Sequence, residues 1–303
     1  MRASWKRWRK QSVADFKLNK VVVYGVGLIG GSFALALKQA DGAAEIVGLG
    51  RSTASLEIAQ GLGVIDRVGD LTDVRDADLV LLAMPVGKME AAMLAIAPHL
   101  GAKTVVVDAG STKQDVVAAA RRAFGSRIAQ FVPCHPIAGA EKSGASAAQA
   151  GLYIDKRIIV TPLPENTPFA IAIAEAAWTV CGGDVSVMAP AQHDAMFAAV
   201  SHLPHLLAFT LVDEFAKRPD AAELFGNAGS GFRDFTRIAG SHPEMWRDIS
   251  VANRAALITE LDRYMNALLQ LRVLLAGADA EGLERLFTNA RDTRNFWLDS
   301  IEK

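Results

Sequence analysis

At 303 residues, 51% hydrophobic and 21% charged, the chain has room for two domains with full cores and the composition of a soluble globular protein. Lys and Arg (32) balance Asp and Glu (33), which argues against nucleic acid or a membrane surface as the main partner. Two cysteines, Cys134 and Cys181, are too few for a disulfide framework and point to a reducing cytoplasm, and with no apolar run near ~18 residues no membrane span is expected.

The first ten residues are basic and carry Trp5 and Trp8 but lack the apolar stretch of a signal peptide. Residues 1–16 are therefore expected to be a disordered extension, the alternative being that the two indoles touch a membrane or nucleic acid. From Lys20 the pattern alternates. Short β-branched runs at 20–24, 45–49, 77–83, 104–107 and 128–132 read as strands, and Ala- and Leu-rich stretches at 33–39, 56–61, 88–100 and 116–124 read as helices. This order predicts an α/β Rossmann-type doubly wound sheet with helices on both faces. Strands at 157–161 and 184–188, flanking a helix at 169–180, are expected to extend the same sheet.

After Pro190 the strand signal ends. Helices are predicted at 191–217, with a kink at Pro204, and at 232–239, 244–276 and 281–300. The division is thus a dinucleotide-binding domain at 17–188 followed by an all-α domain at 189–303, suited to substrate binding and dimerisation. On the long helix Leu257, Ile258, Leu261, Tyr264, Met265, Leu268, Leu271 and Leu274 form an apolar band too broad for one short domain to cover, so a homodimer is expected.

Three places carry the chemistry. Gly25-Val26-Gly27-Leu28-Ile29-Gly30-Gly31-Ser32 follows a strand and opens a helix. Gly25 suits the tight turn, Gly27 the approach of a pyrophosphate and Gly30 close helix–strand packing, while the helix N-terminus offers amides to phosphate. At the end of the second strand, where NAD enzymes place an acid for the ribose hydroxyls, stand Gly50, Arg51 and Ser52. Arg51 and Ser52 can bind a 2′-phosphate, which favours NADP with NAD possible; the alternative is that Arg51 is a solvated surface charge. Met84 and Pro85, after the 77–83 strand, complete the expected cofactor contacts.

Second, Asp108-Ala109-Gly110-Ser111-Thr112-Lys113 lies at the carboxyl end of a strand, where open α/β sheets bind ligands. Ser111 can hydrogen-bond His135 and face the nicotinamide, or cap the following helix. His135 itself lies between Pro133 and Pro136 on what reads as a fixed turn, either as a general base or as a cap for backbone groups. Third, His193-Asp194 and Ser201-His202-Leu203-Pro204-His205 put histidines on one helical stretch, and Arg233 and Arg237 fall on one helix face. Such cations suit an anionic substrate; ion pairs such as Asp234–Arg237 fit the spacing equally well. No His/Cys spacing calls for a metal.

With these pieces in this order, together with Glu141-Lys142-Ser143-Gly144 and Pro243-Glu244-Met245-Trp246, the chain resembles the prephenate/arogenate (cyclohexadienyl) dehydrogenase family of tyrosine biosynthesis over residues 20–301. The resemblance implies a Rossmann domain, a helical domain that builds a homodimer, and NAD(P)-dependent oxidative decarboxylation of a 4-hydroxycyclohexadienyl acid. It implies that His135 takes the proton of the 4-hydroxyl, that Ser111 bridges this histidine and the cofactor, and that Ser201, His205, Arg237 and Trp246 belong to the substrate site. Two positions depart from the pattern: Ala140 stands where some members carry Thr or Arg, and Gly50 replaces the acid of NAD-using members. The competing readings are a β-hydroxyacid-type dehydrogenase, for which no catalytic lysine is evident in the helical region, and a non-catalytic nicotinamide sensor.

Overall fold

The structure is a computed structural model that describes residues 16–140 and 142–301. Trp5 and Trp8 of the expected extension, and Glu141, lie outside the described residues. Phe16, assigned from sequence to that extension, packs against the core.

The elements of the first sheet follow in chain order: β1 (Leu18–Tyr24), α1 (Leu28–Gln39), β2 (Ala43–Leu49), α2 (Thr53–Gly61), β3 (Arg67–Val68), β4 (Leu79–Leu82), α3 (Val86–Ile96), β5 (Val105–Asp108), α4 (Gln114–Phe124) and β6 (Phe131–Val132). All six strands are parallel, in the order β3-β2-β1-β4-β5-β6. This is the Rossmann arrangement. The order reverses between β1 and β4, and the crevice at their carboxyl ends is where such sheets take ligands.

The central strands are apolar over most of their length because both faces are covered. Val21, Val23, Leu79, Leu81, Val105 and Val107 join Phe33, Leu37 and Trp178 in one buried cluster; Val22, Val80, Leu82 and Val106 join Met89, Met93 and Phe124 in the other. The period-2 alternation sends neighbouring residues of each strand to opposite faces.

The chain leaves this sheet after Val132. Next come β7 (Cys134–Pro136), β8 (Arg157–Val160), α5 (Pro168–Val180) and β9 (Asp184–Val187). These strands form a separate sheet, β7-β8-β9, with β7 antiparallel to β8 and β8 parallel to β9. The expectation that residues 157–161 and 184–188 extend the first sheet is therefore corrected. Pro133 offers no N–H to a ladder, and both backbone groups of Cys134 are taken by buried side chains, so β6 stops and β7 starts a new pairing.

The helical part comprises α6 (Pro190–Phe197), α7 (Leu203–Ala216), α8 (Ala221–Gly226), α9 (Ser230–Thr236), α10 (Pro243–Ala252), α11 (Arg254–Ala276) and α12 (Ala280–Ile301). Instead of a simple kink at Pro204, a π-helical turn at Ala198–His202 joins α6 to α7. Pro204 has no N–H to return to the preceding turn, and a widened turn absorbs the loss. The helix expected over 244–276 is broken at Asn253, whose buried side chain bonds the Asp194 carbonyl and faces His202.

Taken together, Pro190–Ala216 is long and apolar enough by length and composition to cross a membrane, with mean hydropathy 1.6, contrary to the reading of the uninterrupted runs. Its His193 and Asp194 are buried against the start of α4, and 28% of its apolar window is buried. By compactness the chain falls into two units that divide after Arg254, and the second holds α11 from Ala255 onward together with α12.

Candidate active site

The glycine loop is shaped by contact on one side and open space on the other. Gly25 has φ +102°, and a side chain there would strike the Ala83 carbonyl at the end of β4; one at Gly30 would strike the Gly25 carbonyl. At Gly27 a Cβ would meet nothing within 4 Å, so this edge of the loop is free for a ligand's approach. Gly27 is also the N-cap of α1 and makes no side-chain cap, which leaves amide N–H groups for an anion. Residues and cavity fit a dinucleotide. A cavity of about 410 Å³ is lined by Gly25, Val26, Gly27, Gly50, Arg51, Ser52, Met84 and Pro85. Arg51 is exposed, and Ser52 caps α2 by accepting from the Ser55 N–H at 3.3 Å.

A larger cleft of about 690 Å³ shares Gly27, Met84 and Pro85 and continues along Leu28, Ile29, Gly110, Ser111, Lys142, Arg237 and Met245. The cofactor loop, the Ser111 turn and Arg237 therefore face one space. Ser111 does not cap a helix: α4 starts at Gln114, with Lys113 at its N-cap position. Among the described residues no hydrogen bond joins Ser111 to His135. Asp234 sits 3.9 Å from Arg233, in place of the Asp234–Arg237 pair that the spacing allowed.

His135 lies on β7 opposite Ile159, so a strand and not a turn holds it. Its setting is built from buried polar groups. Asp108, at the end of β5, accepts from the N–H groups of Gly110 (2.8 Å) and Cys134 (2.9 Å) and from the Lys113 ammonium. Lys113 donates a second bond to the Cys134 carbonyl at 2.6 Å. A buried lysine–carboxylate pair thus grips both backbone groups of the residue before His135. Such a pair persists only when its hydrogen bonds are satisfied, as they are here.

On the other side, His135 Nδ1 is 2.8 Å from His193 Nε2, and His193 Nδ1 is 2.8 Å from Asp194 Oδ1. Asp194 in turn accepts from the N–H groups of Lys113 (2.8 Å) and Gln114 (2.9 Å) at the start of α4. Phe197 packs against both imidazoles, with centroid distances of 5.0 and 4.5 Å.

The electrostatics follow from this burial. Desolvation, reinforced by His193, Lys113 and His202, holds the His135 pKa well below 6.5. Desolvation likewise lowers His193 against the opposing pull of Asp194, and brings His202 down to about 4. For Asp194 burial pushes upward, but the bonds from His193, Gln114 and Lys113 win and its pKa is lowered. At neutral pH the centre holds neutral imidazoles backed by a carboxylate, the form in which an imidazole accepts a proton.

His205 donates from Nδ1 to the Ser201 carbonyl at 2.9 Å and stacks on Trp246 at 3.6 Å between centroids. Burial, opposed by that bond, lowers its pKa, and Arg237 lowers it further, which puts the guanidinium in its electrostatic neighbourhood. Ser201 thus contributes its backbone to His205. Trp246 is buried between Met245 and Ile249 in chain position, both of which line the cleft, and its Nε1 has no partner among the described residues.

Lys113, Asp108, Asp194 and Asn253 were not singled out from the sequence as site residues, and His193 was noted without a role. Only the Ser-x-Lys spacing after β5 and the His193-Asp194 dipeptide hint at them, because their partners outside the pairs Asp108–Lys113 and His193–Asp194 include groups 21 to 81 residues away.

The family models described as "Prephenate dehydrogenase, nucleotide-binding domain" and "Prephenate dehydrogenase, dimerization domain" match residues 33–187 and 189–289. The chain is 35% identical over 280 residues to a prephenate dehydrogenase of Bacillus subtilis, covering 91% of this chain and 75% of that one. It is 35% identical over 279 residues to a cyclohexadienyl dehydrogenase of Zymomonas mobilis, covering 90% and 94%. Among solved structures, the prephenate dehydrogenase of A. aeolicus in complex with hydroxyphenyl propionate and NAD+ superposes with TM-score 0.86 at 34% identity, over 92% of this chain and 98% of that one. Synechocystis arogenate dehydrogenase gives 0.79 at 28% identity, over 92% and 99%.

Proposed function

Because the chain belongs to the prephenate dehydrogenase family of NAD(P)-dependent oxidoreductases that decarboxylate as they oxidise, we propose that it turns over prephenate, arogenate or both with His135 as the base. The observation that carries this reading is the 690 Å³ cleft that faces the glycine loop, Ser111 and Arg237 together. A dinucleotide and a small anion can share it.

In this reading Gly25, Val26, Gly27, Leu28, Ile29 and Gly30 form the pyrophosphate turn, and Met84 and Pro85 wall the cofactor from the β4 side. The nicotinamide, when bound, supplies the acceptor for the hydride that leaves C4 of the ring. His135 takes the proton of the 4-hydroxyl. As the ring carboxylate departs as CO2 the ring becomes aromatic, and that proton returns to the same oxygen. The base is thereby regenerated. Arg237 holds a substrate carboxylate, with His205 stacked on Trp246 beside it, and Ser111 orients substrate against the cofactor. Aromatisation provides the driving force, so positioning, one base and anion binding are what the protein adds.

Gly50 and Arg51 support a preference for NADP. Gly50 presents no carboxylate to a 2′-phosphate, and Arg51 lines the cavity that would receive it. A division of the chain at 188/189 is supported by the two family matches meeting there. Homodimerisation through α11 and α12 is supported by Ile258, Tyr264, Met265 and Leu268, which stand exposed in the single chain, together with Phe287, Phe296 and Trp297. The free, buried thiols of Cys134 and Cys181 fit an enzyme of the cytoplasm.

The test is steady-state turnover of both acids with both cofactors, followed by reduced-nicotinamide absorbance and CO2 release. Turnover of neither acid overturns the reading.

A further inference from the structure

The pair His193–Asp194 has no place in the reaction as described above, yet it is buried and touches the proposed base. Asp194 is an ionised carboxylate, fixed by two backbone N–H groups at the start of α4, and can only accept hydrogen bonds. The hydrogen in its 2.8 Å contact with His193 must therefore sit on His193 Nδ1. Burial keeps His193 neutral, so its Nε2 carries a lone pair. The 2.8 Å contact between that nitrogen and His135 Nδ1 then needs a hydrogen from His135. A neutral His135 with its hydrogen on Nδ1 has a bare Nε2.

From this chain of donors and acceptors we propose that His193 and Asp194 are positioning residues that set the tautomer of His135, making Nε2 the atom that accepts the substrate proton. The proposal rests on the reading of His135 as the base. The relay runs from the α4 N-terminus through Asp194 and His193 to His135, with Phe197 packed against both rings to hold their planes. When Nε2 takes the hydroxyl proton, the Nδ1–H bond to His193 is retained and the new positive charge is backed by Asp194. The other charged or titratable groups facing His135 are Lys113, itself tied to Asp108, and His202. Lys113 opposes that charge and His202, neutral at pH 7, adds none, which makes the carboxylate at the far end of the relay the favourable one.

Three variants of the full-length enzyme test this, each assayed for kcat, KM and cofactor affinity beside His135→Asn. Asp194→Asn removes the charge behind the relay and strands one of the Lys113 and Gln114 N–H groups; with the amide nitrogen toward His193 Nδ1, both imidazoles flip and the hydrogen moves to His135 Nε2. We expect kcat to fall by on the order of 10²–10⁴, the range seen when a positioned base is lost or a triad tautomer inverted. KM and cofactor affinity should stay within about threefold, since neither His193 nor Asp194 lines the cleft or the cofactor cavity. His193→Gln keeps an acceptor oxygen for His135 Nδ1–H and should retain kcat within roughly tenfold of wild type, whereas His193→Leu should lose a further tenfold or more.

Equal kcat in His193→Gln and His193→Leu overturns the proposal, and so does unchanged kcat in a folded Asp194→Asn. Should Asp194→Asn fail to fold, the Gln/Leu pair decides. Normal turnover by His135→Asn refutes the base assignment and this proposal with it. Loss in His135→Asn with no loss in the relay variants refutes the relay alone.

Discussion

The cofactor cradle is made mostly of backbone, and the histidine centre mostly of side chains. In the cradle, consecutive residues from Gly25 to Gly30 supply the turn, the close approach and the helix N-terminus, and open space at Gly27 does what a side chain would prevent. In the centre, Asp108 comes from β5, Lys113 from the start of α4, His135 from β7, and His193 and Asp194 from α6, locked by bonds spanning up to 81 residues. The cradle should therefore tolerate change at its rim and adjust its preference. The centre should fail when one partner is removed, because each loss strands another buried polar group.

The largest effect should come from the centre. His135→Asn is expected to lower turnover by on the order of 10²–10⁴ while the cofactor's dissociation constant, measured by titration, stays put. A variant that loses cofactor affinity as well would mean that β7 also shapes the cradle, and the contrast between the regions would weaken.

Lys113→Met should come next, read as stability. It leaves Asp108 buried without its cation and frees the Cys134 carbonyl, a type of loss that costs about 3–5 kcal/mol. Urea denaturation followed by far-ultraviolet circular dichroism measures it. A cost under about 1 kcal/mol would show the pair to be dispensable to the fold.

Acid should also act on the centre. His135, His193, His202 and His205 all have folded-state pKa values below their ordinary one, chiefly because burial disfavours the charged ring. Below about pH 6.5 the unfolded chain binds protons that the folded chain refuses. Stability is thus fully present above that pH and falls as the pH drops toward about 4, where His202 itself titrates. His202 alone accounts for about 3 kcal/mol over this window. Urea midpoints at pH 7.5 and 5 read the change; equal midpoints would contradict it.

Smaller effects belong to the two arginines that line the cavities, Arg237 and Arg51. Arg237→Gln should raise the substrate KM roughly tenfold to a hundredfold, with little change for the cofactor, the range for loss of one charged hydrogen bond. Arg51→Ala should weaken NADP by about 1.5–3 kcal/mol and leave NAD unchanged. Gly50→Asp should shift preference toward NAD, and it has room: the nearest atoms to a Cβ at Gly50 are those of the Leu56 side chain, from 3.5 Å. Isothermal titration of both cofactors reads these changes. Tight NAD binding in the wild type, unaffected by Arg51→Ala, would remove Arg51 from cofactor choice.

The same contrast explains what could be read in advance. Alternating strands and helices, the glycine loop and Arg51 are local patterns, and local patterns carry a period and a spacing. The exit of the chain at Pro133 into a second sheet was misread, since residues 157–161 and 184–188 look like any buried parallel strand. What redirects them is the grip of Asp108 and Lys113 on Cys134. The break at Asn253 was missed for a similar reason: helical periodicity runs through it, and only the carbonyl of Asp194 and the ring of His202 call the asparagine inward.

The sequence by itself determined the Rossmann order of elements, the place of the phosphate-binding turn and the candidacy of His135, because each depends on residues adjacent in the chain or on a regular hydrophobic period. The tertiary structure alone decided that His135 sits on a strand, that His193 and Asp194 stand behind it, and that Lys113 is a buried anchor and not a surface charge. Those facts depend on which side chains meet after the sheet has closed. Burial then turns ordinary histidines into neutral acceptors, since water is no longer present to stabilise their charge.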